Sequence, residues 1–191
     1  EILHQGNNIN EYIVDIRDFE QVLNIFHKEK PEIVFHLAAQ PIVIASYKEP
    51  RYTYDVNVMG TVNICECIRR SASVRSFVNV TTDKVYQNNE WEFPYRETDR
   101  LDGFDPYSNS KSCSELVTAS YARAFFKGRD IAVSACRAGN VIGGGDFSGF
   151  RIIPDCYRDT VSGKGIAVRN PNSVRPYHHV LEAVNWYLLA A

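Results

Sequence analysis

The stretch Glu32-Ile33-Val34-Phe35-His36-Leu37 is a nearly continuous apolar run, and the small residues Ala38-Ala39 follow it directly. Such a run is typical of a strand buried on both faces of a parallel sheet, because a strand with one wet face alternates apolar and polar residues. A helix is predicted before it, with Asp18 as the N-cap and apolar residues at helical spacing as far as Phe26. The run therefore predicts a parallel α/β sheet.

Strand and helix patterns alternate along the rest of the chain. Further strands are predicted over residues 12–14, 76–81, 130–137 and 166–168. Further helices are predicted over residues 53–70, 107–126 and 154–161, and from Val180 onward. The longest connections are an aromatic-rich loop over residues 88–106 and a glycine-rich loop over residues 139–146. Repeated alternation predicts a doubly wound parallel sheet, in which ligands bind at the carboxyl ends of the strands.

The composition of the chain excludes several classes of protein. Its 191 residues are 45% hydrophobic and 23% charged, which is typical of a globular domain rather than a disordered chain. The net charge of −2 offers no basis for a nucleic-acid or anionic-membrane partner, and no apolar run approaches the roughly 20 residues of a membrane span. We find no secretion signal and no cysteine spacing typical of zinc, so we predict a cytoplasmic protein without a metal site.

Two residues form a candidate acid/base pair. Tyr107 and Lys111 are four residues apart, so a helix places them on one face. A phenol has an ordinary pKa of about 10, and the neighbouring ammonium is expected to lower the pKa of Tyr107 into a useful range. Thr82 lies 25 residues upstream at the end of a predicted strand, where its hydroxyl would share a proton with Tyr107.

A strand-end threonine followed by Tyr-x-x-x-Lys resembles the short-chain dehydrogenase/reductase family. In that family the tyrosine acts on a substrate hydroxyl while hydride passes to NAD, and the lysine also holds the nicotinamide ribose. The resemblance implies a Rossmann-like fold and NAD as the cofactor. The residues that match the family's cofactor-binding positions are Asp15, Ile16, Leu37, Ala38, Ala39, Asn57, Tyr107 and Lys111.

Three segments carry the cofactor part of this resemblance. Asp15-Ile16 corresponds to the point at which the family's aspartate meets adenine. The small residues of Leu37-Ala38-Ala39 let the backbone approach the cofactor. Asn57-Val58-Met59-Gly60-Thr61 matches the Asn-x-x-Gly-Thr of the extended branch of the family.

The segment Thr82-Asp83-Lys84 narrows the chemistry, because redox chemistry alone does not need a carboxylate after the threonine. It resembles the sugar-nucleotide 4,6-dehydratases, which usually have Thr-Asp-Glu and which oxidise carbon 4, eliminate water across carbons 5 and 6 and return hydride to carbon 6. By that resemblance Asp83 protonates the departing 6-hydroxyl, and Lys84 stands where the base for carbon 5 is expected. A lysine acts as a base only if burial or a neighbouring charge depresses its pKa. The alternative for Lys84 is a solvated surface charge.

The pair Asp-Lys at this position resembles the CDP-glucose 4,6-dehydratases, which implies CDP-glucose as the nucleotide-sugar substrate and deoxysugar supply to surface polysaccharide such as O-antigen. The residues that the resemblance assigns to the sugar–diphosphate end are Asn140, Arg151 and Arg175, since a guanidinium fork suits paired oxygens. The alternative for both arginines is an exposed charge. The glycines at 143–145 are predicted to form a turn that lines the sugar pocket.

The family's glycine-rich turn, which lays pyrophosphate on a helix N-terminus, is absent from this sequence. In the usual strand order 3-2-1-4-5-6, the strand over residues 12–14 would be third and that over residues 32–37 fourth, so the first βαβ unit is missing. We therefore expect a piece of a longer enzyme, which binds NAD poorly and turns over little by itself. A rearranged sheet, or strands borrowed from a second molecule, are alternatives.

The expected organisation is a partial NAD-binding domain over residues 1–140 and part of a small substrate lobe over residues 141–191. A homodimer is expected through the two long helices, which pair as a four-helix bundle in this family. Two alternative functions remain open. One is a related epimerase or dehydratase for another nucleotide sugar, and the other is a non-catalytic binding or assembly module of the same fold.

Overall fold

The computed structural model describes residues 9–191. A three-stranded parallel sheet forms its centre, in the order β1 (Ile33–His36), β2 (Ser76–Thr82) and β3 (Ala132–Ala138). A second, two-stranded parallel sheet pairs β4 (Asn140–Ile142) with β5 (Tyr177–His179). The helices are α1 (Phe19–Glu29), α2 (Val43–Lys48), α3 (Pro50–Tyr54), α4 (Gly60–Arg70), α5 (Pro106–Tyr121), α6 (Ile152–Val161) and α7 (Val180–Leu189). The predicted parallel α/β sheet is confirmed, and the division at residue 140 stays a prediction.

The first helix shows how the local sequence sets the packing. Asp18 accepts a hydrogen bond from the backbone N–H of Gln21 at 3.1 Å, which satisfies one of the donors left open at the start of α1. The apolar stripe of α1 then packs on α4 and on the adjoining sheet. The buried members of this core cluster are Val22, Leu23, Phe26, Ile64, Cys65, Cys67, Ile68, Val74, Phe77 and Phe126. The free thiols of Cys65 and Cys67 are thus core groups.

Both predicted long helices contain a π-helical turn. The first runs from α3 through a π-helical segment, Asp55–Met59, into α4. The second is α5, which continues into the π-helical segment Ala122–Phe126. Their predicted extents were correct to within a few residues. The short helix α2 was not predicted.

Two predicted strands were wrong. Residues 12–14 form no strand, because within residues 9–191 no strand lies beside the outer edge of β1, and Ile13 is 96% exposed. Residues 166–168 form no strand either, and β5 lies further along the chain.

The strand that pairs with β5 lies within residues 139–146, which were predicted to form a glycine-rich loop. That prediction was only partly correct. β4 occupies residues 140–142 of that loop, and the glycines on either side of it permit close packing. A Cβ at Gly139 would lie 2.8 Å from Pro176 Cγ, and one at Gly143 would lie 2.7 Å from Val180 Cγ1. Gly139 and Gly143 therefore allow other segments of the chain to pack closely against the ends of β4, and they do not merely form an open turn.

Two findings bear on partners. In the part of the chain that the structure describes, no helix is long and apolar enough to cross a membrane. Within the same residues 9–191, no three His, Cys, Asp or Glu side chains cluster as a metal site would require.

His36 at the end of β1 is a buried titratable group. It is 3% exposed, and its Nε2 atom lies 3.1 Å from Thr61 Oγ1. Burial lowers the pKa of His36 to about 4, and the positive charge of Lys111 acts in the same direction. The imidazole is therefore neutral in the folded protein at neutral pH.

We predict that His36→Gln flattens the pH dependence of stability between pH 7 and pH 4. The unfolded chain takes up a proton on His36 near pH 6.5 while the folded protein takes it up only near pH 4, so wild-type stability falls as the pH is lowered through this window. Between pH 7 and pH 4, the free energy of unfolding of wild type should therefore fall by about 3 kcal/mol more than that of His36→Gln. Urea unfolding of both proteins at several pH values measures it, and parallel curves would contradict the prediction.

Candidate active site

A cavity of about 410 Å³ opens at the carboxyl ends of β2 and β3. The predicted site residues that line it are Thr82, Lys84, Tyr107, Asn140 and Arg151. An adjoining cavity of about 1000 Å³ is lined by Asp83 and Arg175, and Lys84 lines both. The structure thus brings the predicted catalytic and substrate residues to one edge of the sheet, where parallel strands place ligand-binding loops.

Thr82, Asp83 and Lys84 form a connected polar group where β2 ends in a 3-10 turn. The Thr82 hydroxyl donates to Asp83 Oδ1 at 3.1 Å, and Lys84 Nζ donates to the same oxygen at 3.0 Å. Lys84 Nζ also donates to Asn140 Oδ1 at 3.3 Å. Because the Asp83 and Lys84 side chains are each 31% exposed, this ion pair lies at the mouth of the site and is accessible to a ligand.

Tyr107 lies in the first turn of α5, which is set by a cap. The Asp105 side chain accepts from the backbone N–H of Ser108 at 3.0 Å, and Pro106 occupies the first helical turn. Burial raises the pKa of Tyr107, and this effect outweighs the lowering by its hydrogen bond with Thr82 and by the positive charge of Arg151. The prediction that Lys111 lowers this pKa was therefore wrong, and Tyr107 rests as a neutral phenol.

The Lys111 side chain points towards the backbone of β2. Its side chain is buried, and Nζ donates to the backbone carbonyl of Val80 at 2.9 Å. Burial lowers the pKa of Lys111 to about 8, against the opposing effect of the Glu115 carboxylate. An ammonium has three N–H donors, and among residues 9–191 Val80 takes one of them.

The residues predicted to meet the dinucleotide end of the cofactor lie in two segments, one that follows the carboxyl end of β1 (residues 37–39) and one that precedes α1 (Asp15 and Ile16). Leu37 and Ala38 are exposed and Ala39 is half-buried. Asp15 pairs with Arg17 at 2.7 Å, and hydrogen bonds from Arg17 lower the pKa of Asp15 to about 2. Ile16 packs so closely on α4 that a Cβ at Gly60 would lie 2.3 Å from its Cδ1 atom, which explains the glycine of that motif.

Asn57 holds a loop in place. It is 1% exposed and lies in the π-helical segment between α3 and α4. Its Oδ1 atom accepts from the backbone N–H of Gln40 at 2.8 Å, and Nδ2 donates to Ser110 Oγ at 2.9 Å. On this geometry Asn57 positions the loop after β1 and ties it to the catalytic helix α5.

The two predicted substrate arginines differ in their surroundings. Arg151 precedes α6 and donates to Asp146 Oδ2 at 3.0 Å, so its guanidinium is oriented towards the cavity wall. Arg175 is exposed, and its Nη1 atom donates to the carbonyl of the neighbouring Val174 at 2.8 Å.

Sequence reasoning missed a second layer of polar residues behind the site. Gln40 is buried and donates from Nε2 to Thr53 Oγ1 at 2.8 Å. The buried Glu115 forms an ion pair with the half-buried Arg137, with a shortest distance of 2.5 Å. One signal was available for this pair, because Glu115 follows Lys111 by one helical turn and Arg137 interrupts an otherwise small and apolar strand.

Comparisons with known proteins agree with this geometry. A family model described as GDP-mannose 4,6 dehydratase matches residues 1–189. CDP-glucose 4,6-dehydratase of Salmonella typhimurium is 44% identical over 196 residues, in an alignment that covers 100% of this chain and 55% of the relative. CDP-paratose 2-epimerase of Salmonella typhi is 32% identical, over 58% of this chain and 37% of the relative. The chain thus spans about half the length, or less, of these curated relatives.

Solved structures give the same picture of the fold. UDP-glucose 4-epimerase of Thermotoga maritima, solved with UDP-glucose, has a TM-score of 0.87 at 28% identity and covers 97% of this chain and 60% of its own. A dTDP-glucose 4,6-dehydratase of Streptomyces venezuelae, solved with NAD bound, has a TM-score of 0.82 at 25% identity and covers 93% of this chain and 53% of its own. The predicted Rossmann-like fold class is confirmed.

We predict that Asp83→Asn and Lys84→Met each change the free energy of unfolding by less than about 1 kcal/mol, because the pair they break is partly exposed. Chemical unfolding of the two variants beside wild type measures this. A loss of more than about 2 kcal/mol in either variant would show that the pair is structural, outside the range of exposed pairs.

Proposed function

The chain belongs to the GDP-mannose 4,6 dehydratase family, and from that membership we propose that the protein converts CDP-glucose into CDP-4-keto-6-deoxyglucose with NAD as its cofactor. The observation that carries the proposal is the Asp83 carboxylate, bound to both Thr82 and Lys84 beside Tyr107. An epimerase does not need an acid for a departing hydroxyl. The 44% identity to a CDP-glucose 4,6-dehydratase across the whole chain supports this substrate.

The residues of this chain fit NAD at the nicotinamide end. Among the described residues Val80 accepts from one of the three N–H donors of Lys111, which lies one helical turn after Tyr107, and ribose hydroxyls are acceptors that suit the other two. The exposed small residue Ala38 leaves room for close backbone approach, and Asp15 and Ile16 would lie towards the adenine. When bound, NAD supplies the hydride acceptor for carbon 4 and the hydride donor for carbon 6.

Tyr107 and Thr82 manage the proton of the 4-hydroxyl. The Thr82 side chain lies close enough to Tyr107 to counter the rise in the pKa of the phenol. For the oxidation of carbon 4, the Tyr107 phenol first gives its own proton to solvent, and the resulting phenolate takes the proton of the substrate 4-hydroxyl. The positive charge of Arg151 also lowers the pKa of Tyr107, because opposite charge favours the phenolate.

Asp83 and Lys84 then carry out the elimination as one unit. Transfer of a proton from Lys84 Nζ to Asp83 across their 3.0 Å contact turns the ion pair into a neutral acid and a neutral base. Lys84 takes the proton from carbon 5, and Asp83 gives its proton to the 6-hydroxyl, which leaves as water. These two transfers restore the original ion pair. When hydride returns to carbon 6, carbon 5 takes a proton from the Lys84 ammonium, and Lys84 regains a proton from solvent, which balances the proton that the Tyr107 phenol released before the oxidation.

The remaining assignments follow from position. Asn140, already bound to Lys84 Nζ, would contact the sugar, and Arg151 and Arg175 would bind the diphosphate. A homodimer through the long helices is supported by large apolar side chains that these helices expose, since such side chains mark interaction surfaces. They include Tyr52, Met59, Leu116 and Phe125. The product would serve as a precursor of deoxysugars in surface polysaccharide.

We predict that Asp83→Asn and Tyr107→Phe stop the reaction at different points. In the complete native protein, Asp83→Asn should still oxidise carbon 4 and accumulate reduced cofactor, while product formation falls by about 100-fold or more. Tyr107→Phe should form neither. Cofactor absorbance and product analysis on CDP-glucose separate the two cases. Product formation by Asp83→Asn within about twofold of wild type would remove the carboxylate from the mechanism.

The substrate proposal is tested by incubating the complete native protein with CDP-, dTDP- and GDP-sugars. We expect a 4-keto product with CDP-glucose, at a kcat/KM that exceeds the values for the other nucleotides. Preference for another nucleotide would overturn the substrate while leaving the reaction type intact. An epimerised sugar without loss of water would instead favour the epimerase function.

A further inference from the structure

Glu115 on α5 and Arg137 on β3 form an ion pair in which Glu115 is buried and Arg137 half-buried. Within residues 9–191, neither side chain forms a hydrogen bond with a residue proposed to bind the substrate. Their side chains are 4% and 17% exposed. Arg137 Nε donates to both oxygens of Glu115, at 2.9 and 3.0 Å, and Nη2 donates to Oε2 at 2.5 Å. This fork-to-carboxylate geometry fixes the relative orientation of the two side chains.

The pair holds both ends of the segment that carries Asp83 and Lys84. On one side, the Thr81 hydroxyl donates to Glu115 Oε1 at 2.6 Å. On the other side, Arg137 Nη1 donates to the Tyr86 hydroxyl at 2.7 Å, and the guanidinium lies 4.7 Å from the centre of the Tyr86 ring. The residue before Thr82 and the residue after the 3-10 turn are thus bound by one ion pair.

The same pair is anchored to the helix that carries the acid/base tyrosine. Glu115 follows Lys111 by four residues and Tyr107 by eight, so the three lie on one face of α5. Arg137 lies on β3 directly opposite Thr81 in the sheet register. The pair therefore joins β2, β3 and α5 at the depth of the reacting groups.

Stability alone does not account for an ion pair in this position. Taking two charges out of water costs several kcal/mol, and replacing a buried pair with apolar residues of similar volume is often neutral or stabilising. What an apolar pair cannot do is bind the Thr81 and Tyr86 hydroxyls. The charged groups therefore serve to orient the Thr81 and Tyr86 hydroxyls, which buried apolar side chains could not do.

We infer that Glu115 and Arg137 are positioning residues, which set the Thr82-Asp83-Lys84 segment at its working distance from Tyr107 and Lys111. This inference rests on the proposed function for the identity of the chemistry, and on the contacts above for the geometry. Misplacement of a catalytic group by about 1 Å can cost about 100-fold in rate, so the effect should appear in kcat.

The principal test is the double variant Glu115→Leu/Arg137→Met in the complete native protein. We expect a melting temperature equal to or above that of wild type, a KM within about threefold and a kcat lowered about 10- to 100-fold. If the ion pair served only stability, a double variant as stable as wild type would also have the wild-type kcat. A stable double variant whose kcat is within about twofold of wild type would overturn the inference.

Two conservative variants keep the test decisive if the double variant does not fold. Tyr86→Phe removes only the hydroxyl that Arg137 binds, and Arg137→Lys keeps the charge but loses the fork. We expect kcat to fall severalfold in each with KM unchanged. If both variants retain the wild-type kcat, the positioning role is wrong.

A readout without activity separates this inference from the proposed function. Hydrogen exchange of the backbone amides over residues 82–87 should be faster in Tyr86→Phe and in the double variant, while exchange in β2 before Thr81 and in α5 stays slow. If wild type forms no 4-keto product, the proposed function fails and the exchange result still decides the positioning role. Unchanged exchange over residues 82–87 in both variants would overturn it.

Discussion

The hydrogen bond from Lys111 Nζ to the Val80 carbonyl is the contact on which the site depends. At 2.9 Å it ties the buried face of α5 to β2. Tyr107 lies one helical turn before Lys111, and Thr82 lies two residues after Val80, so one bond brings the phenol and the hydroxyl together. Burial of the ammonium lowers its pKa to about 8. The surrounding layer of polar side chains offsets the free energy lost when the charge is removed from water.

This polar layer explains why α5 packs so close to its neighbours. The buried face of the helix is built from Ser108, Ser110, Ser112, Ser114 and Thr118 rather than from large apolar residues. Small hydroxyl side chains occupy little volume and bond to adjacent elements, as Ser114 does with Thr61 at 2.9 Å and with Asn79 at 3.0 Å. Satisfied hydroxyls at a helix–sheet contact fix one arrangement, because each bond has a preferred direction.

The sequence was informative wherever a property is local. A cap at Asp18, an apolar run before Ala38 and a Tyr-x-x-x-Lys spacing each depend on a few adjacent residues, and the structure confirmed the elements they predict. Properties that depend on distant partners were not predictable. The pairing of β4 with β5 joins residues that lie far apart along the chain, and a strand at residues 12–14 would need a neighbour. The raised pKa of Tyr107 belongs to the same class, because desolvation depends on the whole surrounding fold.

The π-helical segment Asp55–Met59 makes the length of the first long helix critical. An ordinary α-helix advances about 100° per residue, and the wide turn accommodates an additional residue without rotating the rest of the helix. Loss of one residue here would permit regular α-helical bonding and leave the flanking turns in phase, but it would remove the wide turn that carries Asn57. Asn57 would then no longer reach Gln40 and Ser110 together. A substitution within this segment changes one side chain and its contacts. An insertion or deletion in it instead disrupts the alignment of the loop after β1 with the catalytic helix.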